Sequence, residues 1–471
     1  MAPRSTSRTS ETPIGELVAA LTVEELREVV SAAVDRHDDV ERQVRLVTAR
    51  AAGDLAQLRA EVDRGLRTRR FLGYRERMDW ARSARPIVAE LEAAVRTSPS
   101  RELVELLQRA IGHVVKVILH ADDSSGLIGD VARELLAVHA LACDAGVADP
   151  VKLAAWMIRF RFADQDFFEV DPVRYASALG EDGIAAYRQA VAAHPSDDSF
   201  AASYARERLA ILDRDIDAIV TLLGGDLSTP YRFVRVAEAM AELGRDDDTL
   251  AWTARGIAET HGWQTAKLYD LACAVHTKRG QPLEVLALRR AQHERMPSLS
   301  TYDTLRTAAG TRDAWPLERD AARAALQRTD LRALVDALLS DGDGGLAWAT
   351  AAAAPSDAIG AELWLRLAEC REAEAPADAL AVYQRVADEV LETADRRAYA
   401  AAVRILKRAR ATAQGAGALT EFTDYIARLR EQHRRRPALI SMLDKADLAE
   451  RPLDRDLSAR EPSWSRSIAG E

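Results

Sequence analysis

Cysteine is nearly missing from this chain: Cys143, Cys273 and Cys370 are the only three in 471 residues, far apart and each within an apolar helical pattern. That excludes a disulfide framework and predicts reduced thiols in the core of a cytoplasmic protein. Tetrahedral zinc needs four converging ligands. His139 and Cys143 share a helix face at i,i+4, and Cys273 and His276 nearly do at i,i+3, but neither pair has a second pair nearby in sequence. Core packing is the better reading of both, so no metal and no cofactor is expected. Aromatic residues make up only 6% of the chain against 48% hydrophobic, so the interior must be built mostly from Ala, Leu and Val, which suit closely packed helices. Lysine stands at six positions only (116, 152, 267, 278, 407 and 445) among 64 basic residues, a bias that reads as the codon usage of a GC-rich genome. The net charge of −10 argues against a general nucleic-acid binder while leaving room for a local basic groove. No apolar run approaches the roughly 18 residues of a membrane span, and the start, Met1 to Thr12, lacks the apolar centre of a signal peptide. A soluble protein without a membrane partner is expected.

Alternating strand patterns are absent too, whereas helical periods recur throughout. Two segments between Tyr231 and Pro297 look like copies of one hairpin. In the first, Phe233, Val236, Ala237 and Met240 form a stripe that Gly244 interrupts and that Leu250, Trp252, Gly256 and Ile257 resume. In the second, Tyr269, Ala272, Cys273 and His276 precede Gly280, and Val285, Leu286, Leu288, Ala291 and Pro297 follow it. The two glycines are 36 positions apart, near the roughly 34-residue period of a tetratricopeptide repeat, whose pattern the stripes resemble. A third copy is formed by Trp364, Leu367 and Ala368 with Ala379, Tyr383 and Val386. Val285 stands where the repeat wants a small residue, and the third copy lacks the closing proline. Such a hairpin cannot bury its apolar face alone and must stack on neighbours. The fold expected is therefore all-α: an α-solenoid of stacked antiparallel helical hairpins, tetratricopeptide-like in the C-terminal half, with Trp364 buried between hairpins.

Taken in order, residues 1–12 are polar and predicted disordered, 13–195 form an N-terminal helical region, 196–447 the solenoid, and 448–471 a charged, proline-containing tail. The first clear helix starts at Thr22, where Glu25 completes a capping box. Further helices are expected at 54–70, 85–95, 101–120, 129–143, 150–161 and 181–193. Asp171 to Gly180 reads as a short capped helix, and Pro195 to Phe200 as the boundary. Hairpin helices follow at 331–339 and 346–353, and the solenoid closes with helices at 398–410, 419–430 and 438–443.

The stretch Asp122-Asp123-Ser124-Ser125-Gly126-Leu127-Ile128-Gly129-Asp130, the helix through His139 and Cys143, the segment Asp171 to Gly180, and His433-Arg434-Arg435-Arg436 before Met442-Leu443-Asp444 carry a resemblance. Together they resemble the helical region that follows the zinc finger in bacterial SWIM zinc-finger proteins, over about Leu17 to Asp447. The family's finger needs a Cys-x-Cys pair and a Cys-x-His pair, and neither is present. The resemblance thus implies the scaffold without its zinc module.

Other chemical signatures weaken on inspection. Asp213, Asp215 and Asp217 open like a calcium loop, but Ala218 and Gly224 occupy the positions that need Gly and Glu, which favours a solvated acidic segment. Gly342-Asp343-Gly344-Gly345-Leu346-Ala347 matches a dinucleotide fingerprint, yet a helix rather than a strand precedes it, which favours a helix-to-helix turn. Asp122 and Asp123 read as a loop and helix cap. Arg67, Arg69 and Arg70 with Phe71 and Tyr74 mix charge and aromatics as single-strand binders do, but Glu76 and Asp79 follow at once. No Walker loop, nucleophile elbow or zinc-protease motif occurs.

The function these readings imply is a non-enzymatic scaffold that holds a segment of a protein partner in the solenoid groove. By the repeat register the groove would present Tyr231, Arg235, Glu238 and Glu242, then Lys267, Asp270 and Lys278, then Glu362, Arg366 and Glu369; ordinary solvated helix surface is the competing reading. The alternative from another class is a nucleic-acid-associated protein related to SWIM zinc-finger proteins, acting through arginine-rich surface.

Overall fold

The computed structural model describes residues 14–448 apart from 69, 163–167, 194–198, 311–313 and 356. Among the described residues every regular element is helical, 24 α-helices and one π-helical turn, with a single isolated bridge between Leu72 and Ala121. The all-α fold is thus the one the periodicity implies. The expected disordered start, most of the tail (449–471), Arg69 and Pro195 lie outside the described residues. Leu448, expected to open the tail, is instead buried, and its carbonyl accepts a hydrogen bond from Arg430 at 3.1 Å.

The chain divides into two compact units, Met1–Asp248 and Thr249–Glu471, whereas the sequence suggested a boundary at 195/196. The first unit contains α1 (Ile14–Ala19), α2 (Val23–Val34), α3 (Asp38–Ala52), α4 (Leu55–Leu66), α5 (Tyr74–Thr97), α6 (Arg101–Ile118), α7 (Leu127–Asp144), α8 (Pro150–Arg161), α9 (Ala176–Ala192), α10 (Phe200–Leu212), α11 (Ile216–Ile219), the π-turn Val220–Gly224 and α12 (Pro230–Glu242). Because α9 packs on α8 and also on α10, the helices on either side of 194–198 belong to one body. Helix α13 (Asp246–Glu259) spans the division, and the second unit continues with α14 (Thr265–Lys278), α15 (Pro282–Arg295), α16 (Leu299–Gly310), α17 (Trp315–Thr329), α18 (Leu331–Ser340), α19 (Gly344–Ala352), α20 (Ala361–Arg371), α21 (Pro376–Glu392), α22 (Arg396–Gly415), α23 (Leu419–Gln432) and α24 (Pro437–Lys445).

Local chemistry sets where these helices begin. Asp54, Ser100, Asp149, Ser199, Asp330 and Asp395 each accept a backbone N–H with the side chain at an N-cap, and Pro150, Pro230, Pro282, Pro376 and Pro437 occupy first turns where no N–H is needed. Thr22 and Glu25 form the expected capping box. Gly244 and Gly280 take left-handed backbone (φ +71° and +65°), the conformation that ends a helix most cheaply without a Cβ. One expectation needs correction: the helix at 85–95 runs from Tyr74 to Thr97 straight through Pro86. The apolar face Trp80, Ala81, Ala84, Ile87, Val88, Leu91 and Val95 is buried on both sides of the proline, and that burial outweighs one lost backbone bond.

Within the second unit each helix from α14 to α22 packs on the next, and α15–α17, α16–α18 and α18–α20 also touch. Alternate helices begin at Thr265, Leu299, Leu331, Ala361 and Arg396, intervals of 34, 32, 30 and 35 residues. A stack of near-constant period in which contacts stay between first and second neighbours is the organisation of a solenoid. Its interior is aliphatic, with Tyr302 and Tyr383 among the few buried rings. Trp364 differs from expectation. It is only half-buried, set edge-on to Trp348 with ring centroids 5.5 Å apart and covered by the Arg385 guanidinium 4.8 Å from its ring. Cys370 is likewise exposed, while Cys143 and Cys273 are buried as expected.

Candidate functional site

Half of the ten residues the register assigns to a groove are engaged by neighbouring helices. In the first unit Arg235 donates to Glu207 of α10 at 2.6 Å and to the Tyr231 hydroxyl at 3.0 Å, and its guanidinium sits 5.7 Å from the Tyr231 ring. Glu242 accepts from Arg208, which also forks onto Asp171 at 2.6 and 2.8 Å. Glu238 is exposed on the same helix. In the second unit Asp270 pairs with Arg289 at 2.7 Å, Arg366 with Asp336, and Glu369 with Arg408, which also holds Glu372 at 2.7 Å. Lys267, Lys278 and Glu362 are exposed. Four of these pairs join alternate helices, two across α10–α12 and one each across α18–α20 and α20–α22. The charged row therefore ties successive hairpins together as well as facing outward.

One concavity of the second unit has the character of a recognition site. Between α15, α16 and the α14–α15 turn lies a groove of about 630 Å³, lined by Thr277, Gly280, Gln281, Pro282, Val285, Arg289, Thr304, Thr307 and Ala308. Its floor is largely apolar. Thr304 and Thr307 spend their hydroxyl protons on the carbonyls of Thr301 and Asp303 (3.0 and 2.8 Å), so they turn methyl groups and lone pairs outward. Gln281 accepts from His276 at 2.8 Å with its carbonyl oxygen and keeps its amide N–H groups for other acceptors. Arg289, held by Asp270, closes one side. The register thus reached the edge of this groove through Asp270 and Lys278, which follows Thr277. It missed Val285, Thr304, Thr307 and Ala308, which lie on the following helices.

No protein-family model and no curated protein matches the chain. Similar solved structures include that of the APC/C hetero-tetramer Cut9-Hcn1, at 8% identity over 92% of this chain and 98% of that one with a TM-score of 0.20. Another is a circular tandem repeat protein with novel repeat topology and enhanced subunit contact surfaces, at 13% identity over 86% and 94% with a TM-score of 0.18. Scores this low carry no argument, so the fold rests on the helices themselves.

The remaining chemical candidates resolve into structure. His139 is fully buried as a neutral imidazole: Gln108 lies 3.2 Å from Nε2, the Tyr175 hydroxyl 2.8 Å from Nδ1, and Tyr175 passes its own proton to the Leu136 carbonyl at 3.4 Å. Burial holds its pKa down to about 3 and pushes the neighbouring Cys143 thiol up to about 12, so the sulfur stays protonated where a metal ligand would need a thiolate. Asp215 caps α11 and Asp213 holds Arg188, so the acidic run forms no cation loop. Gly342 turns between α18 and α19, helix to helix. Asp123 accepts from the N–H groups of Ile128 and Gly129 (3.1 and 2.9 Å), as a cap should. No group of three metal-ligating side chains occurs among the described residues, and no helix among them is long and apolar enough to cross a membrane.

Proposed function

We propose that this chain is a non-enzymatic interaction scaffold and that the groove between α15 and α16 receives an apolar segment of a protein partner flanked by acidic residues. The observation that carries this reading is the groove's chemistry: an apolar floor from Pro282, Val285 and Ala308 beside unspent amide donors of Gln281. Of the four cations between Thr277 and Arg290, Arg289 and Arg290 are paired with Asp270 and Glu318, whereas Lys278 and Arg279 lie exposed beside the α14–α15 turn, where they favour acidic flanks on the partner. A stacked-helix frame supports such a role because the surface is ordered before the partner arrives, which limits the entropy lost on binding. The test is a random-peptide display selected on the full chain and counter-selected on Ala308→Glu. Selected peptides should share an apolar centre with Asp or Glu at its ends and lose binding to the variant. Peptides that bind both proteins equally, or that share no such centre, would remove the groove from consideration.

A second reading is favoured by α22, where Arg396, Arg397, Arg404 and Lys407 are exposed on one face. A basic stripe of this kind suits a phosphate backbone, and with the resemblance to SWIM zinc-finger proteins it supports a nucleic-acid-associated role. It has no aromatic residue interleaved with it for base stacking, so the scaffold is preferred.

A further inference from the structure

On α6 the residues Arg109, His113 and Lys116 recur at spacings of four and three, which puts them on one helix face, and His120 follows in the turn just past the helix end. Opposite them, the segment leaving α4 is drawn in by the bridge at Leu72, whose N–H donates to the His120 carbonyl at 3.3 Å and whose carbonyl accepts from Asp122 at 3.4 Å. Arg67 and Thr68 thereby join the α6 face around a cavity of about 480 Å³, and its lining consists of Arg67, Thr68, Arg109, His113, Lys116 and His120. Among the described residues the lining contains no acid. Asp63 stands behind it, accepting from Arg109 at 2.6 and 2.7 Å and from His113 at 2.8 Å. The Arg109 hydrogen bonds hold Asp63 down to about 2, so it remains ionised and fixes both side chains in place. With both histidines neutral, Arg67, Arg109 and Lys116 still exceed Asp63 by two charges, in a chain whose net charge is −10. Among the described residues no ion pair is recorded for Arg67 or Lys116.

We propose that this pocket binds a phosphate group, either as the inorganic ion or on a small phosphorylated metabolite. Convergent guanidinium and ammonium donors with a hydroxyl are the chemistry that recognises phosphate oxygens. The half-open cavity admits a group of nucleotide size or smaller, and the negative charge of the chain disfavours a long polyanion. The experiment is calorimetric titration of the full chain with inorganic phosphate, pyrophosphate, adenosine diphosphate and adenosine, repeated on Arg67→Gln/Lys116→Gln. Both residues are exposed, and an unchanged circular dichroism spectrum and melting midpoint establish that the variant is folded. Saturable binding of the phosphate-bearing probes, no binding of adenosine, and a loss of about tenfold or more in the variant are expected. Tighter binding of the diphosphate nucleotide than of phosphate or pyrophosphate assigns the site to an organic phosphoester, and the reverse order to the inorganic ion. The proposal is overturned if no phosphate-bearing probe saturates, if adenosine binds as well, or if the folded variant binds unchanged.

Discussion

His139 shows how a chemically suggestive residue becomes a structural one. Its ring is wholly enclosed, lies 4.4 Å from the Trp156 ring centre, and has both nitrogens occupied. Burial lowers its pKa from 6.5 to about 3, so between those values the unfolded chain binds a proton that the folded chain refuses. Stability from this group is complete above pH 6.5 and is lost as pH falls. At pH 5 the loss should reach about 2 kcal/mol. Urea unfolding of wild type and His139→Gln at pH 7 and pH 5 measures it: the variant should lose less stability over that interval by about that amount, and equal losses would contradict the assignment. Sequence spacing correctly made His139 and Cys143 core residues. It misplaced Trp364 and Cys370, because a stripe shows which face of a helix is apolar but not how far the next helix covers it.

At the scale of elements, the helices from Arg101 to Arg161 and from Leu331 onward were legible because caps, prolines and strong stripes coincide there. Helices α16 and α17 were not. Leu299 to Gly310 is rich in Thr and carries few large apolar residues, and what fixes it is tertiary: the buried Tyr302 donates to Asp341 at 2.5 Å across the stack. Asp341 also accepts from Arg306 at 2.9 Å and Arg323 at 2.7 Å. Burial alone would raise the Asp341 carboxyl, but these three donors hold it below the usual carboxylate range. The side chains of Asp341 and Arg323 are 7% and 12% exposed, against 44% for both members of the Arg408–Glu369 pair. That difference decides the magnitudes. Asp341→Ala takes the acceptor from the buried Tyr302 hydroxyl and leaves Arg323 only the more exposed Asp343 as a carboxylate partner, and should cost about 3 kcal/mol, whereas Glu369→Ala should cost about 1 kcal/mol or less. Denaturant midpoints of the two variants check the order, and an equal shift would show that the Asp341 cluster is no more than a surface network.

For the molecule as a whole, the feature that separates the two functional readings is charge. A net charge of −10 coexists with an exposed row of arginines on α22, so neither total charge nor a local patch is sufficient evidence by itself. What differs is the response to salt. A partner seated in the apolar groove of α15 and α16 gains mainly from surface removed from water, which salt screens little. A nucleic acid held by α22 would release counterions, and neutralising several phosphates should weaken binding by roughly 10³–10⁵ between about 50 and 200 mM salt. Partners should therefore be retained across that range after nuclease treatment, with Ala308→Glu abolishing their recovery and Arg404→Glu/Lys407→Glu leaving it intact. The opposite pattern, in which recovery disappears with nuclease and with the α22 variant but survives the groove variant, would replace the scaffold with the nucleic-acid reading. The two outcomes cannot both follow from one surface, because the groove carries its contacts in apolar area and α22 carries its own in charge.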